Sequence, residues 1–411
     1  MEEWKSYKLG DISTIQTGPF GSQLHQSDYV ESGVPCIMPT NIGRMLDFQV
    51  AGIAHISESD ALKLSRHIVH EGDIVYSRRG DIEKCAYVSQ EQDGWFCGTG
   101  CLKITINSNL AVPKFVAYYL STDEIKSWIV GNAVGTTMLN LNTSVLADVP
   151  LSLPSIQMQK RCVQILDSIE NKIALNNRIN HNLEEQAQAL YKSWFVDFEP
   201  FKGGDFVDSE LGLIPEGWRV GTLSELGDIV AGGTPSKTKP EYYTNNGIAW
   251  LTPKDLSIKC NKFTARGEID ITEDGYKNSS AKLMPRGSVL FSSRAPIGYI
   301  SIAKGDICTN QGFKSVVPTY AGTAYLYYWL CENTEAIEAQ ASGSTFKEAS
   351  GSLMRSFPAL VPEKSVIDSF EKELSPILNE QEILEEEINH AEQIRDSLVP
   401  RLMSGELLMN C

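Results

Sequence analysis

Apolar side chains recur at alternating intervals of three and four residues in two long stretches of the chain, residues 154–198 and 362–408. This spacing predicts helices that each present one apolar stripe to a partner, as in a coiled coil. Leu374 follows Leu166 by 208 positions, and the same shift superimposes the two stripes. The stripes include Leu166, Ile173, Asn176, Asn180, Leu183 and Leu190 in the first stretch and Leu374, Ile377, Gln381, Ile388 and Leu398 in the second. The common register favours two equivalent helices that pair with each other; two unrelated amphipathic helices, each packed on its own domain, are the alternative.

Polar side chains within the stripes indicate one defined alignment of the helices. Asn176 and Asn180 lie in the first stripe, and Gln381 and Arg395 lie in the second; such residues reduce coiled-coil stability but select a register. Forty helical residues extend about 60 Å, at roughly 1.5 Å per residue. An antiparallel pair would therefore hold the flanking domains at a set distance. Pro376 predicts a break in the second helix, because proline forfeits a helical hydrogen bond.

The segments that precede the two helices also repeat. Trp4 matches Trp218 and Gly18 matches Gly232, both at a shift of 214 residues, and residues 72–79 resemble residues 287–294 at a shift of 215. The order of the matches never breaks, so the pattern predicts an internal duplication with a period near half the chain.

Each copy predicts a mixed α+β domain followed by a long helix. Short β-branched and aromatic runs predict strands at residues 34–38, 73–77, 101–106, 289–292, 299–303 and 314–317. Helices are expected at residues 9–15, 114–128 and 324–341. The expected domains are residues 1–152 and 200–360, with helices at residues 153–199 and 361–411, and Gly203 and Gly204 lie in the linker after the first helix.

Composition adds little to the fold but bears on the compartment. The chain has 411 residues, of which 42% are apolar and 21% are charged, as in ordinary globular proteins of two to three domains. Nine cysteines at irregular spacing, with no signal-peptide pattern at the start, predict reduced thiols in the cytoplasm.

The net charge of −16 gives no support to a nucleic-acid partner. Half of it comes from residues 363–411, which carry four basic and twelve acidic side chains. Glu385, Glu386 and Glu387 are interpreted as a solvated face of the second helix, so the globular segments retain the freedom to form local basic surfaces.

Common catalytic motifs are absent from the sequence. It contains no phosphate-binding Gly-Lys loop, no dinucleotide fingerprint, no methyltransferase motif and no nucleophile elbow. His67 with His70 and Cys97 with Cys101 suggest a zinc site only weakly, because the second copy keeps a single equivalent, Cys308. The sequence therefore predicts neither a catalyst nor a metal protein.

Small polar and basic residues recur at corresponding places in both copies and predict DNA contacts. They occupy a Gly-containing loop, the end of a strand and a polar loop before each long helix, where hydroxyl, amide and basic groups suit phosphates and base edges. An ordinary Gly/Pro turn and a salt bridge from the arginines to a carboxylate such as Asp81 are the alternatives. The candidates are Thr17, Ser22, Arg78, Arg79, Thr136, Thr137 and Asn140 in the first copy, and Thr234, Ser236, Lys237, Lys239, Lys254, Ser293, Arg294, Ser344, Thr345 and Lys347 in the second. Lys237, Lys239 and Lys254 also form a basic stretch with Lys259 and Lys262.

Five short signatures, in order along the chain, resemble those of the specificity subunit of type I restriction–modification enzymes. They are Trp4 with Leu9-Gly-Asp-Ile12, Gly135-Thr-Thr, Leu153-Pro154 with Gln159-Lys-Arg161, Leu190-Tyr-Lys-Ser-Trp-Phe-Val-Asp-Phe198 and Leu402-Met-Ser-Gly-Glu-Leu407. The second helix has Glu363-Lys364-Ser365 in place of the Gln-Lys-Arg signature.

The resemblance implies two target-recognition domains that each read half of a split, asymmetric DNA site. It also implies helices that set the spacing and bind two methyltransferase subunits. Those partners would bind S-adenosylmethionine and methylate adenine, and a restriction subunit would use ATP and magnesium. The chain itself would need no cofactor. A duplicated protein- or carbohydrate-binding scaffold is the alternative, favoured by the acidic charge, and an enzyme in its own right ranks last.

Overall fold

The computed structural model describes residues 4–20, 23–133, 139–258, 261–343 and 347–407. The chain divides into two compact units, one comprising Met1–Ile173 with His390–Cys411 and the other Ala174–Asn389. Each unit contains one globular domain together with the parts of both long helices that pack on it. Among the described residues, no helix combines the length and apolar character needed to cross a bilayer.

The first unit is a mixed α/β domain. Its strands are β1 (Lys5–Lys8), β2 (Ser13–Thr17), β3 (Tyr29–Val30), β4 (Val34–Ile37), β5 (Ala54–Ile56), β6 (Ile74–Ser77), β7 (Cys85–Tyr87), β8 (Phe96–Cys97), β9 (Cys101–Ile106) and β10 (Pro150–Leu153). Its helices are α1 (Leu9–Ile12), α2 (Glu58–Lys63), α3 (Pro113–Leu120), α4 (Asp123–Asn132), α5 (Thr143–Ala147) and the start of α6 (Ile156–Phe195).

Three small sheets build this domain. The four-stranded sheet has the order β2-β9-β6-β7 and is antiparallel throughout. A second sheet has the order β3-β5-β4-β8, in which β4 and β8 are parallel, and β1 pairs with β10. All four residues of β6 are buried, as expected of a central strand covered on both faces.

The second unit contains the remaining elements. Its strands are β11 (Phe206–Ser209), β12 (Gly212–Pro215), β13 (Arg219–Thr222), β14 (Gly227–Ala231), β15 (Tyr243–Thr244), β16 (Trp250–Leu251), β17 (Phe263–Thr264), β18 (Asp270–Ile271), β19 (Val289–Ser293), β20 (Ile297–Ala303), β21 (Cys308–Thr309), β22 (Lys314–Pro318) and β23 (Pro358–Val361). Its helices are α7 (Leu223–Leu226), α8 (Pro253–Ile258), α9 (Glu273–Lys277), α10 (Thr323–Gln340), α11 (Gly351–Ser356) and most of α12 (Lys364–Met403).

The sheets of the second unit repeat the connectivity of the first. The order β14-β22-β19-β20 reproduces β2-β9-β6-β7, with β17 added at the edge. The pair β13–β23 reproduces β1–β10, and the parallel pair β16–β21 reproduces β4–β8. This shared topology confirms the duplication and the mixed α+β class predicted from the sequence.

Each long helix buries one stripe, as the spacing predicted. Leu166 and Leu374, which correspond under the repeat, are both fully buried, Leu166 in the core of the first unit and Leu374 in that of the second. Ile173, Asn176 and Gln381 are also buried. Asn180, Leu183, Leu190, Ile377, Ile388 and Leu398 are half-buried.

Polar contacts within the second unit show that α6 and α12 run antiparallel. Asn176 Nδ2 donates to Glu387 Oε2 over 2.9 Å, whereas Gln381 Nε2 donates to Glu184 Oε2 over 3.1 Å. The contacted residue on α12 therefore moves from Glu387 back to Gln381 as the residue on α6 advances from Asn176 to Glu184. In the first unit, Arg395 on α12 pairs with Glu170 on α6 over 3.4 Å.

Three local predictions were wrong: two concern the bounds of short helices, and the third concerns Pro376. The helix expected at residues 9–15 ends at Ile12 because Ser13–Thr17 forms strand β2 against β9. The helix expected at residues 114–128 is two helices, α3 and α4, and the side chains of Ser121 and Thr122 at the break donate to carbonyls of the preceding turn.

Pro376 does not interrupt the second helix, since α12 runs unbroken over 40 residues. A proline inside a helix costs about 3 kcal/mol, which is comparable to what burial of one large apolar side chain contributes. Leu374 is fully buried and Ile377 is half-buried beside the proline. Packing of the stripe thus outweighs the missing hydrogen bond.

Candidate nucleic-acid interface

One edge of the first unit's main sheet gathers most of its predicted DNA-binding residues. Strand pairing sets Thr17 opposite Leu102 and Ser77 opposite Cys101, so β2, β6 and β9 meet at this edge. Arg78 and Arg79 follow β6 directly, and Arg79 forms a backbone bridge with Asn140. The structure therefore brings Thr17, Arg78, Arg79 and Asn140 together.

Backbone and side-chain contacts hold Arg78 in place. Its N–H donates to the carbonyl of Gly100 over 2.8 Å, and its own carbonyl accepts from Leu141 over 3.0 Å. Its Nε donates to Asn140 Oδ1 over 3.2 Å. These contacts orient one arginine of the pair while Arg79 remains exposed.

An exposed phenylalanine lies beside Arg78. The side chain of Phe20 is 60% exposed, and the Arg78 guanidinium lies 5.9 Å from the centroid of its ring. An apolar group at a polar edge is a candidate for contact with a base or a thymine methyl group. Sequence reasoning missed Phe20 because its turn was interpreted through glycine and hydroxyl groups alone.

The salt-bridge alternative for the first pair of arginines is not supported. Asp81 pairs with Lys84 over 3.2 Å, and among the described residues no carboxylate lies within 4.0 Å of Arg78 or Arg79. Two guanidinium groups without a carboxylate partner at one edge form a local positive surface on an acidic chain.

The repeated glycine next to this edge has a steric explanation. A Cβ on Gly18 would lie 2.1 Å from the carbonyl oxygen of Gly98, and one on Gly232 would lie 1.9 Å from that of Asn310. Any side chain would push the loop off the sheet, so both copies require glycine here.

The equivalent edge of the second unit has different electrostatics. Arg294 follows β19 but pairs with Glu348 over 3.5 Å, and Glu348 also pairs with Lys314 over 3.1 Å. A carboxylate thus holds Arg294, although it is Glu348 and not a residue close in sequence. Glu348 follows Asn140 by the same 208 positions that relate the helices. The second unit therefore has a carboxylate where the first unit has an amide.

Ser293 does not reach the surface. It is fully buried, and its hydroxyl donates to the carbonyl of Gly312 over 3.1 Å. Its predicted contact with DNA conflicts with this burial, because the inward-facing position on β19 leaves the hydroxyl no access to a ligand. Lys347, beside Glu348, is exposed.

The loop after β14 presents the other candidates of the second unit. The Thr234 hydroxyl donates to the side-chain carbonyl of Gln311. Ser236 contacts the hydroxyl of Thr238 over 2.8 Å, and Lys237 is exposed. Lys239 Nζ donates to the Tyr242 hydroxyl over 2.9 Å, and this hydrogen bond raises the pKa of Lys239.

The predicted basic stretch is smaller than the sequence suggested. Lys254 is exposed and pairs with Glu268 over 3.3 Å, which is a weak, solvent-screened contact. Lys262 is buried, with 8% of its surface exposed, so it adds no charge to the surface. Lys259 lies outside the described residues.

Five further candidates belong to the two polar loops and to the first Gly-containing loop. Ser22, Thr136, Thr137, Ser344 and Thr345 lie outside the described residues.

The cysteine and histidine motifs do not form a metal site in the described part of the chain, which holds no group of three metal-ligating side chains. Burial raises the pKa of the Cys97 thiol to about 12, as is usual for an unreactive cysteine packed in apolar surroundings. Burial, assisted by Arg66 and Lys103, lowers the pKa of His67 to about 4. His67 is packed against the ring of Phe96 and is a core residue.

Comparison with known proteins identifies the family. The model of the type I restriction modification DNA specificity domain matches residues 1–185 and 215–393. The HindI specificity subunit of Haemophilus influenzae is 24% identical over 471 aligned residues, which span 99% of this chain and 100% of the relative. The MjaIX specificity subunit of Methanocaldococcus jannaschii is 37% identical over 191 residues, 44% of each chain.

A solved structure shares the fold. The crystal structure of the type I restriction–modification S subunit from M. genitalium matches with a TM-score of 0.62 at 14% identity, and the alignment covers 98% of this chain and 96% of that one. Since the family model covers both copies of the repeat, the chain belongs to the type I restriction–modification DNA specificity family and is a DNA sequence-recognition subunit.

Proposed function

We propose that this chain reads a split, asymmetric DNA sequence, with each unit recognising one half. The observation that carries the proposal is the repeated arginine-bearing sheet edge with different surroundings in the two units. Arg79 is exposed beside the Arg78–Asn140 pair, whereas Arg294 is held by Glu348. Two edges of the same architecture but different chemistry suit two different half-sites.

The side chains at these edges match known base-reading chemistry. An arginine fork pairs with O6 and N7 of guanine, and asparagine pairs with N6 and N7 of adenine. Lys237, Lys239 and Lys254 suit phosphate oxygens, which position a protein without reading sequence. We therefore assign base readout in the first unit to Arg79 and Asn140, and phosphate contact in the second unit to the three lysines.

The long helices have a separate role in this proposal. Their antiparallel pairing sets the gap between the half-sites, which lie about one turn of DNA or roughly 34 Å apart. Apolar residues remain exposed along them, including Leu175, Ile179 and Ile383. Contiguous exposed apolar surface is typical of an interface, and Leu175 and Ile179 lie one turn apart on α6, so these residues support binding of partner subunits.

The partners are the other subunits of a restriction–modification complex. Two methyltransferase subunits would bind S-adenosylmethionine and methylate adenine, and restriction subunits would use ATP and magnesium to move along DNA and cleave it. This chain, as the specificity subunit, supplies recognition without catalysis. We expect the chain to act in the cytoplasm, where its irregularly spaced cysteines would stay reduced.

Methylation mapping tests the proposal directly. Adenine methylation is mapped across the source genome with and without this gene. We expect deletion to remove one bipartite motif with a fixed gap. An unchanged methylome, in a strain shown to express the methyltransferase subunit, contradicts the proposal and favours the binding-scaffold alternative.

A further inference from the structure

A buried lysine joins three elements of the second unit. Lys262 Nζ donates to Glu184 Oε2 on α6 over 2.6 Å, to the Tyr328 hydroxyl on α10 over 2.5 Å and to Gln381 Oε1 on α12 over 2.8 Å. An ammonium group has three protons to donate, and these three acceptors use all of them. The recognition domain is thereby tied to both long helices through one atom.

The backbone at the same place is tied to α12 as well. The N–H groups of Lys262 and Phe263 donate to the two carboxylate oxygens of Glu385 over 2.8 Å and 3.1 Å. The Tyr328 hydroxyl in turn donates a hydrogen bond to Glu184 Oε2 over 3.1 Å. The start of β17, the edge strand of the sheet, is therefore fixed by directional hydrogen bonds rather than by apolar packing alone.

The charges in this cluster support each other. Burial lowers the pKa of Lys262, and the Glu184 carboxylate opposes that effect. Burial also acts to raise the pKa of Glu184, but Lys262 and the hydrogen bond from Gln381 outweigh it and lower that pKa. An ion pair buried in this way is weak evidence for stability, because desolvation offsets the attraction.

The first unit shows that the fold does not need a lysine here. Tyr87 N–H donates to the carbonyl of Leu46 over 2.9 Å, just as Ile302 N–H donates to the carbonyl of Lys262 over 2.7 Å. Leu46 thus occupies the equivalent place, and it lies in the apolar core. Because an apolar side chain satisfies the packing in the first unit, we infer that the lysine of the second unit has a role other than packing.

We propose that Lys262 is a positioning residue, which sets the angle of the second recognition domain on the helix pair and so the gap between half-sites that the protein accepts. Apolar packing tolerates small rotations because it has no preferred direction. Three hydrogen bonds to a point charge and two to a carboxylate tolerate much less, because each weakens steeply as its angle changes. This inference rests on the proposed bipartite recognition.

The test replaces Lys262 by the residue of the first unit, in the Lys262→Leu variant. The complete restriction–modification complex methylates duplexes that carry the cognate half-sites with the natural gap or a gap one base pair shorter or longer. We expect the variant to fold, to methylate the natural site, and to lose roughly tenfold of its preference over the neighbouring gaps, about 1.4 kcal/mol of discrimination. Lys277→Leu makes the same chemical change at an exposed site with no assigned DNA contact, where the lysine pairs only with Glu273 over 3.8 Å, and should leave gap preference unchanged.

Other results would overturn the inference. Normal methylation with unaltered gap preference shows that Lys262 does not position the domain. Equal loss at every gap, with a lower melting temperature, shows a role in stability alone; Glu184→Gln, which keeps the shape of the cluster, must then relax gap preference for the inference to stand. If the wild-type complex methylates no bipartite site, the proposed function fails first and the inference fails with it.

Discussion

At the scale of single residues, the two arginine-bearing sheet edges differ in which of their charges are already paired. Arg79 is exposed and has no carboxylate partner among the described residues, whereas Arg294 is paired with Glu348. A guanidinium that gives up an ion pair on binding gains less from DNA than one that was solvated. The two arginines correspond in sequence but should contribute unequally to recognition.

Arg79→Ala should weaken recognition of one half-site by about 1–3 kcal/mol, the range for loss of a bidentate base contact. Arg294→Ala should affect the other half-site only, and by less. Competition binding with duplexes altered in one half at a time measures both effects, and Lys84→Ala, which breaks a surface pair with Asp81, is the control. Equal losses at both halves would contradict the assignment.

His67 should make stability depend on pH. Its folded-state pKa of about 4 lies below the ordinary value of 6.5, so the unfolded chain binds a proton that the folded chain refuses. Stability is therefore complete above pH 6.5 and decreases as pH falls from 6.5 to 4, by up to about 3 kcal/mol. Denaturant unfolding across this range should show a shallower decrease for His67→Gln than for the wild type. Parallel curves would show that other groups cause the dependence.

At the scale of elements, each long helix combines an apolar stripe with a few polar contacts that select one register. Leu166 and Leu374 are buried without polar partners, and Asn176 and Gln381 add directional bonds to the opposite helix. The apolar residues supply the stability of the pair. The polar residues exclude shifted alignments, because a slip of one heptad would leave buried amides unpaired.

Seven residues inserted at matched positions in α6 and α12 should lengthen the gap between half-sites. One heptad keeps the stripe in phase and adds about 10.5 Å, or roughly three base pairs. Methylation mapping of the variant should return the same half-sites with the longer gap. Seven glycine and serine residues inserted after Gly203, in the linker, should leave the gap unchanged. A change in the half-sites themselves would contradict the spacing role.

At the scale of the whole molecule, the net charge of the chain has the same sign as that of DNA and therefore disfavours their association. The net charge is −16, yet the acidic residues of α12 include some with internal roles: Glu385 binds backbone N–H groups, and Glu382 pairs with Arg286 over 2.5 Å. The net charge of the chain is thus a poor guide to the two arginine-bearing sheet edges, which are locally basic or neutral.

Duplex binding should depend on salt only moderately. Three lysines assigned to phosphate contact, Lys237, Lys239 and Lys254, imply a slope of about −3 when the logarithm of affinity is plotted against that of salt concentration. Titrations of the specific duplex at salt concentrations from about 50 to about 200 mM measure this slope. Lys237→Ala should reduce the slope by roughly one. A slope near zero would favour the scaffold alternative.

The sequence by itself determined the features that depend on local periodicity. A stripe every three and four residues requires a helix, and one shift that aligns two such stripes requires a duplication; both are readable without knowing any contact between distant residues. The same holds for the match of Gly18 with Gly232, although only the structure shows that a side chain at either position would collide with a carbonyl oxygen.

The tertiary structure decided what depends on residues far apart in the chain. Sequence placed Lys262 in a basic surface, and packing buried it against Glu184 and Gln381. Sequence predicted a break at Pro376, and burial of the stripe kept α12 whole. Arg79 and Arg294 occupy equivalent positions in the sequence, but in the structure Glu348 forms an ion pair with Arg294 only. Pairing and burial are set by which surfaces meet, and the free energy of those contacts is large enough to override the local preference of any single residue.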